Sequence, residues 1–562
     1  MPKLTGAHLI VKLLERQGIR VIAGIPGGSN LPLYDALSAS RLIRHVLARH
    51  EQGAGFMAQG MARVTGRAQV CFATSGPGAT NILTAIADAK LDSVPVVCIT
   101  GQVPGSLIGT DAFQEVDTYG MTIPITKHNF LVRSAEELLS TVPEAFRIAA
   151  SGRPGPVLID VPKDVQQQTV NVDRWPGPGR PDPPPRIPGP ALKRIADLIN
   201  AAQRPILYLG GGVISANAGP AAARVAEKAG LPVVGTLLAL GALPDGHPRF
   251  LGMLGMHGSR HVNLALEECD LLVAVGARFD DRATGKASEF CPQARIIHID
   301  IDDSEVGKVK QPAAALVANA KSALEALLAG LRKNPRAAWQ EKIRALRAAH
   351  PPQLPGLGDP AAPYGLIRLA GEALGPDAIV ATDVGQHQMW TAQAYPIRRP
   401  RHWLTSGGLG TMGFGLPAAI GAALAEPDKT VALFTGDGSL LMNIQEMATL
   451  AEERLNVKII LLNNRALGLV RQQQHLFYGR RIFAADFRLH ADFTAIARGF
   501  GLPAVDLAQS GDPARSLAQA LRRPGPVLIH APIDAREQVL PMVPPGAANR
   551  NMIGEGDRHA QR

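Results

Sequence analysis

An aspartate between glycines and, one strand further on, a pair of asparagines are the residues of this chain best suited to hold a charged ligand. Phe434 to Ala466 reads FTGDGSLLMNIQEMATLAEERLNVKIILLNNRA. An apolar run ends in Gly436-Asp437-Gly438-Ser439, an amphipathic segment follows, and a second apolar run, Val457 to Leu462, ends in Asn463-Asn464. Continuous, then helical, then continuous apolar periodicity predicts strand, tight turn, helix, strand. Parallel strands joined by a helix end at the same sheet edge, so Asp437 and Asn464 can meet. Glycines let backbone N–H groups approach a phosphate, the helix start favours negative charge, and a carboxylate beside an amide oxygen suits a hard cation such as Mg²⁺. The combination predicts a site for a metal-bound diphosphate. Taken alone, GDGS is also what an ordinary capped βα turn looks like.

A second set lies near the N-terminus. Gly24-Ile-Pro-Gly-Gly28 follows a short apolar strand, and Arg49-His50-Glu51-Gln52-Gly53-Ala54-Gly55 leads into a helix of small and apolar residues that should pack tightly and exclude water. By position alone Glu51 is a helix-start acid. Thr74 to Asn81 (TSGPGATN), Gly101-Gln102-Val103 and Asp111 to Asp117 (DAFQEVD) follow further strand-like runs. In the middle of the chain, strands end in Gly210-Gly211-Gly212, in Gly276 and in Asp300-Ile301-Asp302, with Gly235 to Gly241 and Gly255-Met-His-Gly258 between them. Close backbone approach and an acidic strand end are what a dinucleotide needs, but GxGxxG is not spelled out, so a nucleotide site and plain architecture stay equally open. Phe279-Asp-Asp-Arg282 alone reads as a surface ion-pair cluster.

The elements that must position these residues fall into three parts. Proline-rich stretches at 174–190 and 350–363 can form neither helix nor central strand. They predict domains at 1–173, 190–345 and 362–545 with a tail at 546–562, each domain alternating apolar strands and helices in an α/β fold. Arg153-Pro-Gly-Pro-Val-Leu-Ile-Asp160 returns as Arg523-Pro-Gly-Pro-Val-Leu-Ile-His530, which suggests two domains of one design. A length of 562 residues, 46% hydrophobic and 19% charged, is normal for a soluble protein. The longest apolar runs are too short to span a membrane, and the N-terminus lacks a signal-peptide layout. Four widely spaced cysteines make neither a zinc pattern nor a disulfide framework, so a cytoplasmic location is expected. The net charge of +10 is dispersed and aromatics are only 4%, which argues for anionic small ligands over nucleic acid.

GDG followed by NN resembles the diphosphate signature of thiamine diphosphate (ThDP) enzymes. With GIPGG, RHEQGAGFMAQGMAR, TDVGQHQMWTAQAYP, LTSGGLGTMGFGLPAAIGAAL, LGLVRQQQHLFY and PMVPPGAAN, nearly the whole chain resembles the acetohydroxyacid (acetolactate) synthase catalytic subunits, most nearly the bacterial isozyme I type. The resemblance implies three doubly wound parallel-sheet domains, binding the ThDP pyrimidine, FAD and the ThDP diphosphate in that order. It implies Mg²⁺ on Asp437, Asn464 and the carbonyl of Ala466. Further ThDP contacts are implied for Gln386, His387, Gly410, Met412, Gly438, Ser439 and Gly468, with the Met412 side chain bending the coenzyme and Glu51 sharing a proton with pyrimidine N1′. FAD contacts are carried to Arg153, Gly211, Thr236, Leu237, His257, Gly276, Arg278, Asp280, Asp300 and Ile301, the flavin doing no net redox work. Gly28, Phe113 and Lys163 are implied to line the pyruvate pocket and Arg282 to bind the carboxylate of a second 2-oxoacid, pyruvate or 2-oxobutyrate. Most of the family carries Trp where Gln473 stands, so weak preference for 2-oxobutyrate is expected. The resemblance also implies a homodimer or larger assembly with the active site at the interface, a separate regulatory small subunit, and a role in valine, leucine and isoleucine synthesis. A pyruvate oxidase would share both ThDP and FAD and is the alternative.

Overall fold

The computed structural model describes residues 3–554, so the last eight positions of the expected C-terminal tail lie outside the described residues. Three six-stranded sheets, parallel throughout, succeed one another along the chain. The first runs, from edge to edge, Arg44–Leu47, Val21–Gly24, Gln69–Ala73, Val96–Gln102, Val157–Pro162 and His128–Leu131. The third runs Trp403–Leu404, Ile379–Thr382, Val431–Gly436, Val457–Asn463, Val527–Pro532 and Ala504–Asp506. Numbered by sequence within each domain, both have the order 2-1-3-4-6-5. The middle sheet, Phe250–Met253, Val233–Gly235, Pro205–Leu209, Leu271–Val275, Arg295–Asp300 and Ala314–Val317, has the order 3-2-1-4-5-6, that of dinucleotide-binding folds. The α/β fold of three doubly wound sheets is therefore as the sequence predicts.

Strands buried on both faces explain the uninterrupted apolar runs: Val457–Asn463 is buried along its whole length. Even Lys458 is inside, its ammonium donating to the carbonyls of Arg523 and Gly525, so burial brings its pKa down to about 8. The RPGPVLI repeat leads into the sixth strand, in sequence order, of both the first and the third sheet. Among the described residues no helix or strand falls between Thr169–Asn171 and Gly189–Ala201, or between Ala337–Ala349 and Pro363–Leu374, where proline is dense. The cysteines are buried free thiols, and Cys71 lies opposite Cys98 on the neighbouring strand.

The amphipathic segment after Asp437 departs from the single helix expected. It forms Asp437–Leu441 and Glu446–Glu453, broken at a turn where Asn443 donates to the carbonyl of Gly413 at 2.7 Å and to Gln52 of the first domain at 3.3 Å. The break lets one side chain tie two distant segments, which outweighs continuing the helix.

One helix crossing joins the first and third domains. Glu51–Thr65, capped at its start by the His50 ring and at its end by Gly66 in the left-handed region (φ 68°), lies across Gly415–Ala425. A side chain on Gly60 would overlap the carbonyl of Ala418, and one on Gly421 would overlap the carbonyl of Met57. The two helices thus meet backbone to backbone, and a single apolar core runs from the first sheet into the third. Overpacking of such a contact costs about 1–3 kcal/mol and at times more. Gly421→Ala should therefore lower the thermal midpoint by several degrees or abolish soluble expression, while Gly499→Ala, where a Cβ meets nothing within 4 Å, should leave it unchanged. Equal midpoints for the two variants would refute the close crossing.

Candidate active site

Adjacent parallel strands Val431–Gly436 and Val457–Asn463 bring Asp437 and Asn464 to one sheet edge, with Gly436 in register with Leu462. Both side chains are buried. Burial pushes the Asp437 carboxyl up to about 6, although the N–H groups of Gly438, Arg465 and Ala466 favour its charge. Asn464 donates to Gln386 at 2.9 Å, and its oxygen accepts the N–H of Ala466 at 3.2 Å. Ser439 donates to the Val384 carbonyl at 2.7 Å, clamping the first turn of Asp437–Leu441. These residues, with Gly438, Ala466, Gly468, His387 and Met412, line a cleft of about 60 Å³. The His387 ring stands against Gly436 and Gly385, where burial brings its pKa down to about 3 and leaves its Nε2 without a partner.

This donor set suits a hard cation and a diphosphate. Among the described residues no three His, Cys, Asp or Glu side chains converge to hold a metal, so a cation here would rely on one carboxylate with amide and carbonyl oxygens. A buried carboxylate beside the start of a glycine-led helix is stabilised when such a cation neutralises it.

A larger cavity of about 620 Å³ opens between all three domains. Arg153, Gly211, Thr236, Leu237, His257, Gly276, Arg278, Asp280, Asp300 and Ile301 all line it. The backbones come close because the positions are glycine: a Cβ on Gly210 would overlap the Gly276 carbonyl, and Gly276 itself holds φ 58°. Arg153, from the first domain, reaches Ser93 at 2.8 Å and pairs with Glu305 at 2.8 Å and Asp302 at 3.2 Å in the middle domain. Burial pushes the Asp300 carboxyl up and the His257 imidazole down to about 4, the latter facing the Pro541 carbonyl at 3.1 Å. Asp280 accepts the N–H of Ala283 and so also caps a short helix. A glycine-walled cavity of this size at the switch point of a 3-2-1-4-5-6 sheet offers the volume and backbone approach that a dinucleotide needs.

The cavity's far wall is the third domain: Val384, Gln388, Ser406 to Gly410, Leu469 and Gln473. Val384 and Leu469 also line the small cleft, so the two spaces adjoin. Gly410 therefore faces the large cavity and Met412 the small one. Arg282 lines the large cavity with its guanidinium 3.7 Å from the Met256 sulfur and 3.9 Å from Asp281, its side chain 62% exposed.

Four expected site residues are not brought to either space within one chain. Glu51 is buried and accepts from Asn81 at 3.0 Å. Gly28 has open space around it, Phe113 is 88% exposed, and Lys163 begins the helix Lys163–Gln167. All four follow C-terminal ends of first-sheet strands, the edge at which ligands bind in such folds.

Supporting residues escaped the sequence reading. Gln386 is held by Gln472 at 3.0 Å, which is fixed in turn by the backbone of Val539. Asp383 accepts the N–H groups of Gly413 at 2.8 Å and Gly415 at 3.1 Å, fixing the turn after Met412. The repeat held a signal that could have found two more. In the first domain Asp160 accepts from Thr100 and, at 3.0 Å, from Gln102 at the end of the fourth strand. In the third, His530 stands 3.0 Å from the Asn463 amide at the end of its fourth strand, with Asp506 at 3.1 Å on its other nitrogen. The last residue of the RPGPVLI echo thus steadies the equivalent strand end in both copies.

Three family models cover the chain: the thiamine pyrophosphate enzyme N-terminal TPP binding domain matches residues 4–121, the central domain 192–327 and the C-terminal TPP binding domain 383–531. The chain is 60% identical to the acetolactate synthase isozyme 1 large subunit of Escherichia coli over 98% of both chains. It is 48% identical to the acetolactate synthase large subunit of Parasynechococcus marenigrum over 98% of this chain and 91% of that one. It is 45% identical to the isozyme 2 large subunit of Escherichia coli over 98% and 99% respectively.

Asp160 offers a pH test of the strand-end support. Burial pushes its carboxyl up to about 7, above that of an unfolded aspartate. As pH rises through that interval the unfolded chain gives up the proton first, so this group's contribution to stability is greatest at low pH and is lost as pH approaches 7. The thermal midpoint of the parent should fall relative to Asp160→Asn between about pH 4 and 7 and run parallel above it. Parallel curves throughout would show that Asp160 is ionised in the fold.

Proposed function

The chain belongs to the thiamine pyrophosphate enzymes and, within them, to the acetolactate synthase large subunits, and from that premise we propose how its residues divide the work. Its cofactors are thiamine diphosphate, Mg²⁺ and FAD. Its activity is that of an acetolactate synthase: pyruvate is decarboxylated and its two-carbon remainder joined to a second pyruvate or to 2-oxobutyrate, for branched-chain amino-acid synthesis. The relatives compared carry the acetolactate synthase name, and none supports a pyruvate oxidase.

Bound thiamine diphosphate supplies the carbon nucleophile and electron sink that let pyruvate lose CO₂. In the proposal, Asp437, Asn464 and the Ala466 carbonyl hold Mg²⁺. Gly438, Ser439, Gln386, His387 and Gly468 receive the diphosphate, while Gly410 and Met412 bear on the pyrimidine. Glu51 exchanges a proton at N1′. Gly28, Phe113 and Lys163 shape the side from which pyruvate enters. Arg282 binds the acceptor's carboxylate near Gln473, and the ten residues around the large cavity hold FAD. The observation that carries this arrangement is the shared wall at Val384 and Leu469, which sets the Asp437 cleft beside Arg282 and Gln473.

Since Glu51 lines neither space, we place the complete site between two copies, each lending its first-domain edge to the other's cleft. Exposure of Phe113, Leu441 and Met442 supports this, because a pairing surface would cover them. The relatives are named large subunits, which supports a small partner for this chain as well. No described helix is long and apolar enough to cross a membrane, and the four buried free cysteines support a reducing compartment, which we take to be the cytoplasm.

The deciding experiment is acetolactate formation by the purified protein after removal of divalent metal and coenzyme. Activity should return only with thiamine diphosphate and Mg²⁺ together; activity without them would sink the proposal. In the same assay Arg282→Ala should still release CO₂ while its acetolactate rate falls by about tenfold or more. Unit charges about 4 Å apart interact by roughly 4 kcal/mol at an effective dielectric near 20, and exposure reduces this. Acetolactate at the parental rate would reassign the acceptor site. Gln473→Trp should raise the 2-oxobutyrate product share several-fold when both acceptors compete, since one apolar contact is worth about 1–3 kcal/mol; an unchanged ratio would remove Gln473 from acceptor choice.

A further inference from the structure

Apart from the helix crossing, the first and third domains meet at a buried cluster of charge. Asp88, on the helix Leu83–Leu91, and Asp92, at its C-terminal end, are buried, and Arg63, in the last turn of Glu51–Thr65, is nearly so. The Arg63 guanidinium lies 2.7 Å from Asp92 and 3.5 Å from Asp88, and stands over the Phe414 ring at 5.0 Å. The carboxylates accept from one loop of the third domain. The hydroxyls of Ser406 and Thr411 donate to Asp88, the latter at 2.9 Å. The N–H groups of Gly407 and Gly408 donate to Asp92 at 3.1 and 2.6 Å. Two carboxylates against one guanidinium leave this cluster with excess negative charge, and burial with Asp92 alongside pushes the Asp88 carboxyl up to about 6. Such an arrangement is a poor choice for stability alone, since well-packed apolar groups would serve at least as well. Its donors have something else in common. Ser406 to Gly410 wall the large cavity, Met412 walls the cleft, and Asp383 fixes the loop's far end through Gly413 and Gly415.

We propose that Asp88 and Asp92, with Arg63, are positioning residues of the coenzyme site, fixing the Ser406–Met412 loop from another domain so that Gly410 and Met412 are presented before the coenzyme arrives. Backbone glycines cannot hold a loop by packing, because they carry no side chain. At Gly407 and Gly408 two carboxylate oxygens take that role, and the hydroxyls of Ser406 and Thr411 set the loop's curvature from inside. Preorganisation of this kind lowers the ordering cost of binding and leaves the chemistry unchanged. Its loss should therefore appear first in coenzyme affinity. The inference rests on Gly410 and Met412 being coenzyme contacts.

The test uses the full-length protein as Asp88→Asn, Asp92→Asn and, from the loop side, Ser406→Ala, which removes only a hydroxyl and keeps the test usable should an aspartate variant fail to fold. The thiamine diphosphate activation constant at saturating Mg²⁺, the thermal midpoint without coenzyme, and the rise in midpoint on adding coenzyme are measured for each. We expect the activation constant to rise tenfold or more and the coenzyme-induced rise in midpoint to shrink, with the coenzyme-free midpoint within a few degrees of the parent. A lowered coenzyme-free midpoint with an unchanged activation constant would reduce the cluster to domain packing and overturn the inference. Parental values throughout would do the same. A parent whose activity and midpoint ignore thiamine diphosphate would overturn both this inference and the functional reading beneath it.

Discussion

The crossing of Glu51–Thr65 over Gly415–Ala425 is the contact on which the rest of the architecture depends. Two helices can touch backbone to backbone only where both lack side chains, and Gly60 and Gly421 meet that condition reciprocally, each against a carbonyl of the other helix. The approach merges the cores of the first and third domains into one buried apolar cluster. One of these helices begins at Glu51; the other follows directly on the Ser406–Met412 loop. The constraint that joins the domains therefore also fixes where each chain holds Glu51 and the Ser406–Met412 loop.

The first and third domains are variations on one plan. They share a strand order, and the RPGPVLI segment leads into the sixth strand of each. They also share a device at the strand-four tip, where an amide side chain is held by the ionisable residue that closes the repeat, Asp160 in one domain and His530 in the other. The third domain carries the polar cleft around Asp437 and Asn464, whereas the corresponding edge of the first carries Gly28, Glu51, Phe113 and Lys163. Under the proposed function each chain would thus offer two unlike half-sites, one suited to a diphosphate and one to a proton exchange.

The middle domain reaches its function by a different route. Its sheet has the dinucleotide order without the dinucleotide fingerprint, because close approach comes from Gly210 and Gly212 facing Gly276 across neighbouring strand ends, glycines far apart in sequence. Arg153 and the Ser406–Gly410 loop complete the walls from the other two domains. Residues of all three domains therefore wall this cavity, and a flavin seated there as proposed would bridge them, which would give it a structural part in a reaction that transfers no net electrons.

How much could be read in advance depends on how far apart the interacting residues lie. The meeting of Asp437 with Asn464 was legible because a parallel strand–helix–strand unit forces consecutive strand ends onto one edge, whatever surrounds it. Dense proline at 174–190 and 350–363 pointed to stretches between sheets, and apart from the helix starts at Gly189 and Pro363 these carry no helix or strand among the described residues. The break at Asn443 was not legible, since the amphipathic pattern continues through it and only contacts with Gly413 and Gln52 favour the turn. The grip of Asp88 and Asp92 on Ser406 to Thr411, the support of Gln386 by Gln472 and the wall shared at Val384 and Leu469 were not either. The sequence by itself determined which residues stand at strand ends and what chemistry they bring, because backbone geometry and local periodicity act over tens of residues. The tertiary structure alone decided which of those ends face one another and what holds them still, because that follows from side chains hundreds of positions apart packing into the same buried volume.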